Sequence, residues 1–260
     1  MENKNRKLFF LIALPRSGNT LFASIMNQNR DVACTGNSVT LEIIKNLYLI
    51  KTTDTFKNFP NHKSLDNILN NVFNLYYKDW SQRIIIDRGP VLTSGTPGNF
   101  EVMKKYFKPG FKCIVLLRDL MEVFASYMKL YTENPDSFLN KLGKTDEEKL
   151  LALMDTNGAI VKEIKSIQNS YNYPNMCHFI RYNDMVVNPE KVFKKLYKFL
   201  EEPYYPHYFE NLKQISINDI EYDDTVVGKN MHTIRSAVKK ETNNYIVPKN
   251  IKKKYGHIKI

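Results

Sequence analysis

The sequence predicts an α/β fold, a single domain built on a central parallel β-sheet with helices on both faces. Short apolar runs such as Ile84-Ile85-Ile86 and Ile114-Val115-Leu116-Leu117 alternate along the chain with helical patterns. Strands of a parallel sheet are buried on both faces and therefore have this continuous apolar character. The chain has 260 residues, 43% of them hydrophobic, which suffices for one large core and excludes a disordered chain.

Hydrophobic spacing predicts each element in turn. Short continuous apolar runs indicate strands, and apolar residues recurring every three to four positions indicate helices. The last of these helices has clear boundary signals, because Asn188 suits the N-cap and Pro189 suits the first helical position. The predicted strands are 7–14, 83–87, 112–117 and 177–181, and the predicted helices are 20–28, 39–50, 65–77, 100–107, 121–131, 147–171 and 189–200.

The polar segments between these elements are predicted to be loops. Residues 52–63 and 132–146 are the longest of them. The final residues, 236–260, are rich in lysine and are predicted to form a basic, mobile and solvated tail. No internal repeat divides the chain, so the whole of residues 1–260 is predicted to be one domain.

The first predicted strand runs into a turn that suits an anion. Phe9 to Leu14 are apolar, and a turn containing Gly18 follows and opens a helix. Unpaired N–H groups and the positive end of the helix dipole both favour an anion at such a place. The loop of nucleotide triphosphatases has a Lys after its second Gly, whereas Gly18 is followed by Asn19. An ordinary ATPase is therefore disfavoured.

The loop sequence Pro15-Arg16-Ser17-Gly18-Asn19-Thr20-Leu21 resembles the 5′-phosphosulfate loop of sulfotransferases. The resemblance implies that this loop binds the 5′ end of the sulfate donor, through Arg16, Ser17, Gly18, Asn19, Thr20 and Leu21. It also implies a catalytic role for Arg16, which occupies the position where many relatives have a catalytic Lys. A simple strand-turn-helix corner, shaped by Pro and Gly, is the alternative interpretation.

A second motif follows the strand 112–117. Arg118 ends this strand, and Ser126 lies eight residues further on. The pair resembles the 3′-phosphate motif of the same family, which implies that both side chains bind the 3′-phosphate of the cofactor. Arg offers a planar fork of donors that suits a phosphate, and Ser adds a neutral donor. The alternative is a surface ion pair between Arg118 and Asp119.

Two later segments extend the resemblance over most of the chain. Tyr182, after the strand 177–181, resembles the family's strand-end tyrosine, whose ring is implied to lie near the adenosine, although a core tyrosine is equally compatible with the pattern. The segment from Gly228 to Arg235 resembles a late family motif whose cations close over the cofactor phosphates, which implies cofactor contacts for His232 and Arg235. A solvated basic loop is the alternative for this segment.

The resemblance implies the activity as well. A sulfotransferase moves a sulfuryl group from 3′-phosphoadenosine 5′-phosphosulfate (PAPS) to a hydroxyl or amine and releases adenosine 3′,5′-bisphosphate (PAP), by an in-line displacement without a metal. The acceptor stays open between a protein tyrosine, a glycan, a lipid and a small molecule. The base is open too: Glu42, in the first turn of a helix, and Asp87, at a strand end, are the two candidates. A surface Glu and a strand-end cap are the alternative interpretations of these residues.

Other classes of function remain as alternatives. A divergent P-loop kinase would need a Lys after Gly18 and acidic metal ligands, which the motifs lack. The net charge of +11 fits a nucleic-acid binder, yet the lysines are spread over helix faces, and we expect no specific nucleic-acid site. A basic field also attracts an anionic donor.

Cysteine content and the length of apolar runs predict the cellular location of the protein. Cys34, Cys113 and Cys177 have no metal-ligand spacing and suit a reducing compartment. The first apolar run is short and leads directly into the phosphate loop, so it is not a cleaved signal, and no run approaches the ~18 residues of a membrane span. We therefore expect a soluble cytoplasmic protein without a membrane span. The sequence leaves its oligomeric state open.

Overall fold

A computed structural model describes residues 6–59, 61–88, 97–107, 111–156, 158–213, 216–218, 234, 236–239 and 244–260. Within these residues a five-stranded sheet forms the centre of the molecule. The strands are β1 (Lys7–Ala13), β2 (Val32–Asn37), β3 (Ile84–Arg88), β4 (Lys112–Leu117) and β5 (Cys177–Arg181). Their order across the sheet is β2-β3-β1-β4-β5, and every neighbouring pair is parallel.

Helices follow each strand, as the alternating pattern predicts. The described residues contain α1 (Asn19–Met26), α2 (Thr40–Thr52), α3 (Asp54–Lys57), α4 (Leu65–Tyr76), α5 (Pro97–Tyr106), α6 (Leu120–Glu133), α7 (Asp146–Leu153), α8 (Ala159–Ser170), α9 (Tyr182–Val187), α10 (Pro189–Leu200) and α11 (Lys249–Tyr255). Short 3₁₀ segments cover His62–Ser64 and Phe138–Leu142. Among the described helices, none is both long and apolar enough to cross a membrane.

The sheet is buried on both faces, which confirms the parallel α/β class. Alternate residues of β1 enter two different core clusters, with Phe10 and Ile12 on one face and Phe9 and Leu11 on the other. The first cluster includes residues of α2, α4 to α8 and α11, and the second includes residues of α1, α9 and α10. The apolar runs are continuous because a side chain on either face of these strands meets a layer of helices.

The structure corrects the sequence prediction for one long helix. Residues 147–171 form two helices, α7 and α8, rather than one. Thr145 caps α7 through a capping box with Glu148, and Gly158 caps the start of α8. A Cβ on Gly158 would lie 2.5 Å from the carbonyl oxygen of Leu153, so the turn between the helices requires a glycine. The apolar spacing continues through this break, which hides it from the sequence pattern.

Other elements were missed or misjudged from the sequence. Strand β2 and the short helix α9 have no matching prediction, because β2 ends in polar residues rather than forming an apolar run, and six residues of α9 are too few to show a helical spacing. The prediction of a solvated tail is wrong for part of residues 236–260, since α11 forms there and Ile251 is buried in the first core cluster. Its lysines Lys252, Lys253 and Lys254 are exposed, as the lysine run predicts.

Candidate functional site

The connections that follow β1 and β4 leave the sheet side by side and in opposite directions. The chain leads from β1 through α1 towards β2, and from β4 through α6 towards β5, on the other side of the sheet. Helix α1 packs in one core cluster and α6 in the other. A crevice at the carboxyl ends of the strands opens at such a reversal of strand order, and ligands of open α/β sheets bind there.

The phosphate-type loop lies at this crevice. The first intrahelical bond of α1 runs from the N–H of Phe22 to the carbonyl of Gly18, at 2.9 Å. The N–H groups before it, from Gly18 to Leu21, have no carbonyl partner within the helix. Thr20 and Leu21 are half-buried in this first turn. The helix therefore presents its positive end to the crevice.

Two buried polar atoms of the loop lack a partner among the described residues. They are the hydroxyl of Ser17, whose residue is fully buried, and the side-chain oxygen of Asn19. The amide nitrogen of Asn19 is used otherwise, since it donates to the carbonyl of Leu14 at 3.1 Å. A buried polar atom without a hydrogen bond is costly. The hydroxyl of Ser17 fits an additional anionic group at the loop, since it can donate.

Arg16 connects the loop to the second motif. Its backbone is in the left-handed region, with φ 66°, which is uncommon for a residue other than glycine. Its Nε donates to the hydroxyl of Ser126 at 3.1 Å, and its carbonyl accepts from Nη1 of Arg118 at 2.6 Å. The side chains that resemble the 3′-phosphate motif are thus in direct contact with the loop that resembles the 5′-phosphosulfate motif.

Arg118 is held from three sides. Its guanidinium lies 4.2 Å from the centroid of the Tyr182 ring, and its Nε contacts a carboxylate oxygen of Glu122 at 3.2 Å. Tyr182 is buried in the second core cluster and also packs against Gly18. Tyr182 therefore supports both halves of the crevice. Asp119, instead of forming a surface pair with Arg118, caps α6 by accepting from the N–H groups of Met121 and Glu122.

The carboxylate of Asp87 lies in a buried hydroxyl network. Its Oδ2 accepts from Ser38 at 2.8 Å, from Thr40 at 2.7 Å and from Tyr77 at 2.5 Å, and its Oδ1 has no partner among the described residues. The residue is fully buried, and this burial raises the pKa of Asp87 although the three hydroxyls lower it. The network joins the start of α2 and the end of α4 to β3, an arrangement that suits an anchor.

Glu42 has a different environment. It is half-buried in the first turn of α2, one turn beyond the network of Asp87. No hydrogen bond or ion pair links it to another described residue. The described residues also contain no cluster of three His, Cys, Asp or Glu side chains that could hold a metal ion.

The sequence motifs did not identify Arg88 as a residue of the site. Arg88, the last residue of β3, is 8% exposed, and its backbone N–H donates to the hydroxyl of Thr35 at 3.0 Å. A charged residue directly after the run Ile84-Ile85-Ile86-Asp87 was the available signal, because strand ends line the crevice. His232 and Arg235, in contrast, lie outside the described residues, so their positions stay predictions.

The sequence matches a family of known function. A model described as the sulfotransferase family matches residues 9–206. A search of curated proteins finds no match to the sequence. The fold and the phosphate-type loop define an α/β protein with a loop suited to an anion at the carboxyl ends of its strands, and the match covers most of that architecture. The chain belongs to the sulfotransferase family, and it is an enzyme that transfers a sulfuryl group to an acceptor.

Solved structures share the fold. The sulfotransferase domain from the curacin biosynthetic pathway has a TM-score of 0.55 at 18% identity, over 98% of this chain and 92% of that one. The sulfotransferase domain of the Synechococcus PCC 7002 olefin synthase has a TM-score of 0.50 at 17% identity, over 79% and 77%. A sulfotransferase from Alicyclobacillus acidocaldarius has a TM-score of 0.50 at 14% identity, over 85% and 88%. At identities this low, the three matches show that the chain shares a fold with these structures.

Proposed function

We propose that this sulfotransferase uses PAPS as its donor and releases PAP. The observation that carries the proposal is the contact between the two motifs, in which Arg118 donates to the carbonyl of Arg16 and Arg16 donates to Ser126. A 3′-phosphate at Arg118 and Ser126 and a 5′-phosphosulfate at the loop would lie within one nucleotide of each other. A ligand with anions at both ends of one nucleoside suits this arrangement better than a triphosphate.

The loop supplies the leaving group with its stabilisation. As the acceptor oxygen or nitrogen bonds to sulfur, the bond from sulfur to the bridging oxygen breaks and the 5′-phosphate of PAP gains charge. The N–H groups of residues 18–20 and the guanidinium of Arg16 are our candidates for stabilising this charge, since the N–H of Ser17 already donates to the carbonyl of Leu14 at 3.3 Å. Tyr182 is proposed to shape the adenosine side of the site, with His232 and Arg235 as further cofactor contacts.

The proton of the acceptor needs a base, and Glu42 is our preferred candidate. Its carboxylate is half-buried and has no partner among the described residues, so an acceptor could reach it. The Oδ2 of Asp87 already accepts three hydrogen bonds, and the residue is fully buried. We therefore assign Asp87 the role of holding α2, and with it Glu42, beside the crevice.

We extend the proposal to the acceptor class, the domain organisation and the cellular location of the protein. The acceptor class is open between a protein tyrosine, a glycan, a lipid and a small molecule. One domain over residues 1–260 is supported by the single sheet, whose two faces carry both core clusters. A cytoplasmic location is supported by the sparse cysteines of the sequence.

Thermal stability with ligands tests the donor assignment. A ligand that binds only the folded protein stabilises it by about 2.7 kcal/mol at 100 times its Kd, which for a chain of this size raises Tm by roughly 5–10 °C. We expect such a shift with PAP and a smaller one with adenosine 5′-monophosphate, which lacks the 3′-phosphate. In Arg118→Ala the PAP shift should fall to the level of the monophosphate.

Arg30→Ala is the matched control, because Arg30 is exposed in the turn after α1. It should keep the full PAP shift, which separates local binding from a general loss of positive charge. Equal shifts with PAP and the monophosphate would refute the 3′-phosphate assignment. A shift with Mg-ATP alone would favour the kinase alternative.

A further inference from the structure

Three ionisable side chains that the donor site does not yet use are buried on elements next to the loop. Strand β3 pairs with β1, helix α8 contacts β1, and α6 carries Ser126, which accepts from Arg16. The three side chains are Arg88 at the end of β3, Tyr127 on α6 and Glu163 on α8, with 8%, 6% and 1% of their surfaces exposed. We refer to them as the buried polar cluster. Burying ionisable groups is costly unless they interact with one another or with a ligand. Their position beside the crevice makes a ligand the interaction to consider.

Glu163 is the least expected member of this cluster. It lies on the buried side of α8, three residues after Ile160 and four before Ile167, and both isoleucines belong to the first core cluster. Its Oε2 is buried and has no hydrogen-bond partner among the described residues. An apolar side chain at this position would pack without that cost, so packing alone does not explain a carboxyl group here.

Hydrogen bonds hold the backbone of Arg88 in place, and its guanidinium has unused N–H donors. The N–H of Arg88 donates to Thr35 at 3.0 Å, and its carbonyl accepts from the N–H of Ser38 at 2.8 Å. Within the described part of the chain, the guanidinium makes no hydrogen bond and no ion pair. A buried guanidinium with unused N–H donors is suited to an anion that approaches through the crevice.

Electrostatic interactions join the cluster to the phosphate-type loop. The charge of Arg88 lowers the pKa of Glu163. The charges of Arg16 and Arg88 lower the pKa of Tyr127, and that of Glu163 raises it. These four residues come from the loop after β1, from β3, from α6 and from α8. Tyr127 also directly follows Ser126, whose hydroxyl accepts from Arg16. The cluster therefore borders the part of the crevice where the 5′ end of the donor is proposed to lie.

The protonation states in the cluster favour donors over acceptors. Burial raises the pKa of Glu163 well above its usual range, and the opposing effect of Arg88 is smaller. Burial also raises the pKa of Tyr127 to about 12, so its hydroxyl keeps its proton at neutral pH. A protonated carboxyl group has an O–H donor. One cation and two O–H donors make a site for an anion.

We propose that the buried polar cluster is the subsite of the donor's sulfuryl group and that Glu163 takes part in its protonated form, donating a hydrogen bond to a sulfuryl oxygen. This inference rests on the proposed function, because it assumes PAPS at the loop. It adds a residue and a protonation state that the sequence motifs do not contain.

The subsite makes donor binding depend on pH in a defined direction. A sulfuryl anion stabilises the protonated form of Glu163, so PAPS binding retains or takes up a proton. As pH rises and Glu163 ionises in the free protein, its carboxylate opposes the sulfuryl group and PAPS binds more weakly. PAP lacks the sulfuryl group and should be affected much less. The ratio of PAPS affinity to PAP affinity therefore isolates the effect.

Calorimetric titration with PAPS and with PAP tests the subsite. Measurements between about pH 7 and pH 9 lie above the second phosphate pKa of about 6, so the phosphates keep a constant charge. In the unmodified protein the PAPS-to-PAP ratio should fall with pH, by up to about tenfold per unit above the pKa of Glu163. Glu163→Gln, which stays neutral, should keep a constant ratio. Glu190→Gln, at an exposed position in the first turn of α10, should behave like the unmodified protein.

A second variant covers the case in which Glu163→Gln does not fold. Arg88→Ala removes the cation of the subsite and should weaken PAPS binding about tenfold or more, with PAP affinity unchanged. An equal fall of the ratio in Glu163→Gln would overturn the inference. If the ratio stays constant in both proteins, because Glu163 keeps its proton up to pH 9, the result with Arg88→Ala decides. Equal losses of PAPS and PAP affinity in Arg88→Ala would also overturn it. Absence of PAP binding to the unmodified protein would instead refute the proposed function.

Discussion

Gly18 is the residue at which the shape of the loop can be tested most directly. It caps α1 with φ 87° and ψ 21°, in the left-handed region that residues with a Cβ disfavour. A Cβ placed on Gly18 would lie 2.8 Å from Cδ2 of Tyr182 and 3.1 Å from Cε of Met185. Since Tyr182 is itself buried beneath Arg118, the ring has little room to withdraw.

The expected cost of Gly18→Ala has two parts. The left-handed conformation costs about 1–2 kcal/mol for a residue other than glycine. Excess volume in a packed site typically adds about 1–3 kcal/mol. The sum is about 3 kcal/mol, which for a chain of this size lowers Tm by roughly 10 °C. Because the loop N–H groups would shift as well, we also expect PAP affinity to fall at least tenfold.

Gly98→Ala provides the matched control in chemical unfolding and PAP titration. Gly98 lies in α5, is exposed, and a Cβ there would meet no atom within 4 Å. This variant should be equal to or up to about 1 kcal/mol more stable than the unmodified protein, because alanine favours helix. If Gly18→Ala matched Gly98→Ala in both stability and PAP affinity, the geometry assigned to the loop would be incorrect.

Two further predictions concern buried polar groups. Tyr77→Phe removes one of the three donors to Asp87 and should lower the free energy of unfolding by about 1–3 kcal/mol. The control Tyr76→Phe, at an exposed position, should change this free energy little. Equal midpoints of urea unfolding in the two variants would contradict the network. Burial among aromatic rings lowers the pKa of His207 to about 4, and this effect exceeds the opposing one of the Ile25 carbonyl. Between about pH 6.5 and 4 the unfolded chain therefore binds a proton at His207 that the folded protein does not bind. The free energy of unfolding falls as pH falls through that window, by up to about 3 kcal/mol. In His207→Phe the loss of stability between pH 7 and pH 5, measured by urea unfolding, should be smaller than in the unmodified protein, and an identical loss would exclude His207 as its source.

The sequence predicts local features of this protein well. The alternation of short apolar runs with helical patterns predicted the α/β class and four of the five described strands. The phosphate-type loop could be recognised because its turn is a contiguous segment, in which Arg16 and Gly18 are two positions apart. Arg118 and Ser126 are also close along the chain, only eight positions apart. Ser126 lies on α6, the helix that begins just after Arg118.

Contacts between distant segments could not be read in this way. The order β2-β3-β1-β4-β5 places β1 beside β4, and only this order brings the carbonyl of Arg16 within 2.6 Å of Arg118. Asp87 resembles a catalytic residue in the sequence because it ends a strand. The hydrogen bonds that its carboxylate accepts come from Ser38, Thr40 and Tyr77, which lie on other elements and cannot be identified from the sequence.

Glu163 illustrates the same division. In the sequence it is one acidic residue in a helix, and most such residues are solvated. Its burial arises because α8 lies against the sheet near β1 and carries Glu163 on the same face as Ile160 and Ile167. Local patterns determine which segments become strands, helices and the phosphate-type loop, since neighbouring residues decide backbone conformation. Which segments then meet, and so which charges share the crevice, was decided only by long-range packing of the sheet and its two helix layers.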